Sequence, residues 1–185
     1  AGADIDGEGA EDEFGHSIAL SGDGNRVAIG AEENDGSASG AGHVRVFDWN
    51  GTAWVQVGLD IDGESANDWS GQEVALDSDG SRVAIGARFN DGSGFAAGHV
   101  RVFDWNGTVW TQVGADLDGE SAEDESGVKI ALSSNGNRVA IGAKENDGNG
   151  STAGHVRVFD WNGTAWTQVG LDLDGESAGD DSGAS

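Results

Sequence analysis

The segment GHVRVFDWNGTAW, Gly42–Trp54, returns almost letter for letter at Gly98–Trp110 and Gly154–Trp166, so the chain repeats itself every 56 residues. A fixed period constrains the fold more than any single motif does. Each unit has to bury its apolar faces on its neighbours and meet them the same way every time. The copies are framed as Ala3–Gly58, Leu59–Gly114 and Ala115–Gly170, followed by a partial copy at Leu171–Ser185.

Within the repeated segment, His43-Val44-Arg45-Val46-Phe47-Asp48 alternates, with Val44 and Val46 on one face and Arg45 and Phe47 on the other. That period of two, rich in β-branched and aromatic residues, predicts a strand. Asn50-Gly51 predicts a type I′ hairpin turn, and Ala53–Val57 runs back as the partner strand. Further short strands are expected at Ser17–Leu20, Glu73–Leu76 and Lys129–Leu132, each followed by an Asp-Gly or Asn-Gly turn. The next strands are Arg26–Ala31, Arg82–Ala87 and Arg138–Ala143. Their Val and Ile face one way, while Ala28 and Gly30 leave the other side nearly flat for a close neighbour. The loop Asn34–Gly42 varies most between copies and is expected in solvent. Four short antiparallel strands per repeat and no helical periodicity predict an all-β fold of tandem four-stranded blades, a β-propeller-like array. Three blades are too few for a closed ring of the usual size, about four to eight, and the duplicated segments Ala1–Gly15 and Val169–Gly183 suggest an open array continued by further copies.

With 34 acidic against 9 basic residues, the net charge is −25. Such a surface repels phosphate backbones, which argues against nucleic acid as a partner, and it suits divalent cations. No apolar run reaches the ~20 residues of a membrane span. The absence of Cys rules out disulfides without fixing the compartment. A first residue other than Met suggests a processed product or a piece of a longer chain.

The acidic stretch that opens each copy is the leading metal candidate. Its sets are Asp4, Asp6, Glu8 and Asp12; Asp60, Asp62, Glu64 and Asp68; Asp116, Asp118, Glu120 and Asp124; and, in the tail, Asp172, Asp174, Glu176 and Asp180. Closely spaced carboxylates around a glycine suit calcium, which takes six to eight oxygen ligands in loose geometry, or else they form a solvated loop that caps turns. The spacing is not that of an EF-hand. The recurring His43, His99 and His155 read as structural hydrogen-bonding groups, and no oriented nucleophile accompanies them, so the chain is not expected to be an enzyme. Asn50, Asn106 and Asn162 stand in Asn-Gly-Thr sequons, which serve as turns and, on a secretory route, as glycosylation sites. The pairs Trp49/Trp54, Trp105/Trp110 and Trp161/Trp166 flank those turns and either pack across the hairpin or stack on sugar rings. Trp69 has no counterpart in the other copies.

At Phe14-Gly15, Ile29-Gly30-Ala31, Gly86-Ala87 and Gly142-Ala143 the chain resembles the FG-GAP repeats of integrin α-chain propellers and their microbial relatives. Proline is absent where that motif ends, leaving Glu32, Arg88 and Lys144, and Phe14 is matched by Ser70 and Ser126. Hairpins such as Ser21–Asn25 are too short and too poor in carboxylates for the family's calcium loop, so that site does not carry over. The resemblance implies a bladed propeller used for extracellular recognition. The expected function is a secreted or cell-surface structural or adhesive array assembling with further copies into a fibre, sheath or matrix. The alternative is a carbohydrate-binding propeller using the paired tryptophans.

Overall fold

The computed structural model describes residues 2–185 and consists of three antiparallel sheets in tandem, none closed into a barrel. The first contains β1 (Phe14–Leu20), β2 (Arg26–Ala31), β3 (His43–Trp49), β4 (Trp54–Gln56) and β5 (Ile61–Asp62). The second contains β6 (Glu73–Leu76), β7 (Arg82–Ala87), β8 (His99–Trp105), β9 (Trp110–Gln112) and β10 (Leu117–Asp118). The third contains β11 (Lys129–Leu132), β12 (Arg138–Ala143), β13 (His155–Trp161), β14 (Trp166–Gln168) and β15 (Leu173–Asp174).

Each blade has the four rows that the alternation predicts, but the outermost row is built from two pieces. β4 pairs with the end of β3 through Trp49↔Trp54, and β5 pairs with its start through His43↔Asp62 and Val44↔Ile61. The acidic stretch read from sequence as a loop therefore contributes a two-residue strand to the preceding blade. Ile61 and Leu117 are buried as a result. The tail behaves the same way: β15 completes the third blade by pairing with β13.

The turns differ from expectation in detail. Only Gly51 of Asn50-Gly51 has a positive φ, and Trp49↔Trp54 closes a four-residue loop in which Asn50 Oδ1 accepts from the backbone N–H of Thr52 and Ala53. The asparagine thus acts through its side chain and not as the first residue of a type I′ turn. The loop Asn34–Gly42 is likewise less exposed than its variability suggests. Its middle, Asp35, Gly36, Ser37 and Ser39, is exposed as expected, but its ends Asn34 and Ala41 are buried, and Asn34 Nδ2 donates to Asp12.

The core lies between blades. Ala28, Val44, Val46 and Ile61 of the first blade meet Val74, Val83, Ile85 and Phe103 of the second, and Ala84, Val100, Val102 and Leu117 meet Val139, Ile141 and Phe159 in the same way. Burying one such isoleucine is worth about 2 kcal/mol. The flat side foreseen at Ala28 and Gly30 receives a neighbouring backbone. A Cβ at Gly30, Gly86 or Gly142 would overlap the carbonyl oxygen of Gly71, Gly127 or Gly183 respectively. Glycine is required there because two backbones touch.

Charged groups repeat the joint at the blade rim. Arg82 binds Asp104 through Nε and Nη2, and its Nη1 donates to the Gly136 carbonyl in the next blade at 2.9 Å. Arg26 does the same with Asp48 and Gly80.

Candidate functional site

The acidic stretch lies between two blades, and its alternation sends neighbouring residues to different partners. In the second copy, Ile61 points into the core, Asp60 Oδ1 accepts from Gln56 Nε2 at 2.6 Å, and the Asp62 carbonyl accepts from Arg101 Nη2 at 2.6 Å. Glu64 sends Oε1 to within 3.6 Å of Arg101 Nη1. Asp68 turns inward: it is 2 % exposed and accepts from Asn90 Nδ2 and from the Ser65 N–H. Burial pushes its carboxyl above the ordinary carboxylate range, against the lowering effect of those hydrogen bonds. Asp12 and Asp124 are held identically by Asn34 and Asn146, while Asp180 accepts from the Ser177 N–H. These aspartates fasten the turn. Asp6, Asp62, Asp118 and Asp174 face solvent, as does Asp4.

The four carboxylates of one stretch do not converge; among the described residues, no three of them lie together. What converges is a set drawn from two successive stretches and the histidine that opens each third strand. Glu8, His43 and Asp60 form one set, Glu64, His99 and Asp116 the next, and Glu120, His155 and Asp172 the third, each offering ligand atoms within 4.8 Å of one another. The histidines are 1 % exposed. Nδ1 of His43 lies 3.9 Å from Asp60, Nδ1 of His99 lies 3.9 Å from Glu64, and Nδ1 of His155 lies 4.0 Å from Glu120, all beyond hydrogen-bonding range. Nε2 of His43 and of His155 is buried with no partner. Burial pushes the His43 and His99 imidazoles down, His99 to about 4, so both are neutral at pH 7. Reading along the sequence misses this convergence, because its members are tens of residues apart. The available signal is that one Glu, one His and one Asp each recur at a fixed place in every period.

His16 is different. Its Nδ1 lies 3.3 Å from Glu13 and 3.2 Å from Glu32, a one-copy ion-pairing group. Trp69, also unmatched, meets Phe89 edge-on at 4.8 Å, with the Arg88 guanidinium over both rings.

The tryptophan pairs pack across their hairpins with ring centroids 5.4–5.6 Å apart. Nε1 of Trp110 donates to the Val57 carbonyl, and Nε1 of Trp166 donates to the Val113 carbonyl, each in the preceding blade. Trp49, Trp54 and their counterparts pack in this way and remain half-exposed. Asn50, Asn106 and Asn162 are exposed at the hairpin tips.

No curated protein matches the chain in sequence. Among solved structures it is similar to a putative 6-phosphogluconolactonase from Bacteroides uniformis, at 13% identity and a TM-score of 0.58, covering 85% of this chain and 40% of that one. It is also similar to Sqt1 of Saccharomyces cerevisiae, at 12% identity and a TM-score of 0.57, covering 88% and 36%. The chain thus spans well under half the length of either, and at these identities the likeness is one of fold alone. Residues 5–47 match the FG-GAP repeat family. Those residues include the Phe14-Gly15 and Ile29-Gly30-Ala31 motifs, so the first copy is similar to an FG-GAP repeat; the later copies repeat its strands and glycine contacts, and the chain is a tandem repeat array in an open, propeller-like all-β fold.

Proposed function

We propose that the protein is an extracellular structural or adhesive array whose blades join, face to face, with further blades of the same kind, in adjoining repeats or in further copies of the chain. The observation that carries this reading is the identity of the two internal joints together with a half-joint on each outer face. Arg138 keeps its pair with Asp160, yet its side chain is 56% exposed. Leu173, equivalent to the buried Ile61 and Leu117, is 60% exposed, and Ile18 on the opposite outer face is also 60% exposed. One outer face carries Arg138 and Leu173, and the other carries Ile18 beside Val27, Ile29 and Phe47, which Ile5, Phe14 and Trp54 cover; two unlike faces of this kind have the heterologous geometry that yields rings or filaments. The reading is of a building and binding protein rather than an enzyme. Secretion fits the FG-GAP likeness, and glycosylation at Asn50, Asn106 and Asn162 fits their exposed tips. Calcium, if bound, would be held by the solvent-facing carboxylates of the acidic stretches.

Light scattering of the full chain across a concentration series tests the reading. Mass rising with concentration is expected, and it should be suppressed by Leu173→Asp or Ile18→Asp. A compact monomer throughout would refute it. The half-exposed tryptophan pairs favour a second reading, carbohydrate binding at the hairpin tips. Trp-dependent binding on a glycan array would establish it.

A further inference from the structure

We propose that Glu64, His99 and Asp116, with their counterparts one period away on either side, form a binding site for a divalent first-row transition metal of the zinc type, seated between consecutive acidic stretches. The proposal does not rest on assembly; it takes six carboxylates of the acidic stretches and regroups them across successive stretches around the three histidines.

The imidazole is the main evidence. A histidine that is 1 % exposed normally satisfies its ring nitrogens inside the protein. Here Nδ1 stands 3.9–4.0 Å from one carboxylate of its set and does not bond to it, the ligand atoms of the whole set lie within 4.8 Å of one another, and Nε2 of His43 and His155 is without a partner. The gap has the dimensions of a site awaiting modest closure. Metal–ligand distances of about 2.0–2.2 Å set neighbouring donors roughly 3.5 Å apart in a tetrahedron, and the exposed glutamate can swing by that difference.

The carboxylates are also oriented from outside. Asp116 Oδ1 accepts from Gln112 Nε2 at 2.6 Å, an arrangement repeated by Asp60 with Gln56 and by Asp172 with Gln168. Glu64 and Glu120 turn Oε1 toward Arg101 and Arg157 and leave Oε2 toward the histidine. Outer partners that fix one oxygen and free the other are what a ligating carboxylate needs. A mixed set of one imidazole nitrogen and two carboxylates suits zinc, while calcium prefers oxygen alone. The fourth cluster, Glu13, His16 and Glu32, lacks this design, because its histidine already contacts both acids. An ion in each recurring site would tie two acidic stretches and the start of a third strand to one point.

Calorimetric titration of the full chain with zinc chloride tests the proposal. Salt at about 0.5 M screens the diffuse attraction of the acidic surface. Saturable binding approaching three ions per chain is expected, with X-ray absorption reporting one imidazole per zinc. Replacing Asp60, Asp116 and Asp172 together by Asn should weaken binding by at least about tenfold and leave the metal-free melting temperature near that of the parent. Replacing the exposed Glu8, Glu64 and Glu120 together by Gln should do the same, and this variant decides the matter if the first does not fold. No saturable uptake, equal uptake by parent and variants, or full displacement by equimolar calcium would overturn the proposal.

Discussion

Arg82 and Arg138 occupy the same place in successive blades and grip the same partner, an aspartate 22 residues on, through the same two nitrogens. Arg82 is buried and adds a third bond to the Gly136 carbonyl of the next blade, whereas Arg138 is exposed. The comparison separates two kinds of stability. The arginine–aspartate pair, the register of the strands and the hairpins form within a blade regardless of its neighbours. Desolvation, the third hydrogen bond and the stacking over Trp161 and Trp166 come only with the joint.

The strongest way to break that distinction is to strike the joint where backbones touch. Gly86→Val places a side chain on the Gly127 carbonyl and is expected to cost about 3 kcal/mol or more, by overpacking that no rotamer relieves. Gly107→Ala, at a positive φ in open space, should cost only about 1–2 kcal/mol. Denaturant melts of the two variants measure the gap, and equal losses would mean that the joint contributes no more than a turn. Next in size is the arginine pair itself. Arg82→Ala removes a buried guanidinium that makes four hydrogen bonds and leaves Asp104 and the Gly136 carbonyl without it, a loss of about 3 kcal/mol. Arg138→Ala should barely move the melting temperature, as is usual for exposed pairs. Smaller than the loss at Arg82 is that expected from Trp110→Phe, which keeps an aromatic ring in place and deletes the bond to Val57, for about 1 kcal/mol in the same melts.

Much of this architecture was legible because it obeys local rules. Alternation located β2, β7 and β12 to the residue, and the missing side chains of Gly30, Gly86 and Gly142 announced the close approach that the structure contains. What escaped was which side chains far apart in the sequence come to meet. Ile61-Asp62 is too short to show a strand period, and its pairing partner Val44 lies in the preceding copy. The inward turn of Asp68 depends on Asn90, and the meeting of Glu64 with Asp116 depends on His99 between them. Carboxylates at every second position look like one site, but only Ile61-Asp62 is strand, and Asp60, Glu64 and Asp68 are drawn to separate partners, Gln56, Arg101 and Asn90.

The offset of β5, lent by one copy to the blade before it, bears on how such a gene changes length. A recombination that removes residues 59–114 deletes one whole period, and so does one that removes residues 73–128; both rejoin equivalent positions and leave every lent strand with a recipient. The two products are nearly the same protein with one blade fewer, whichever crossover made them. A deletion shorter or longer than a period leaves a strand with no edge to join, or an edge with no strand. Copy number is therefore free to drift in whole units while the fold of each unit stays fixed.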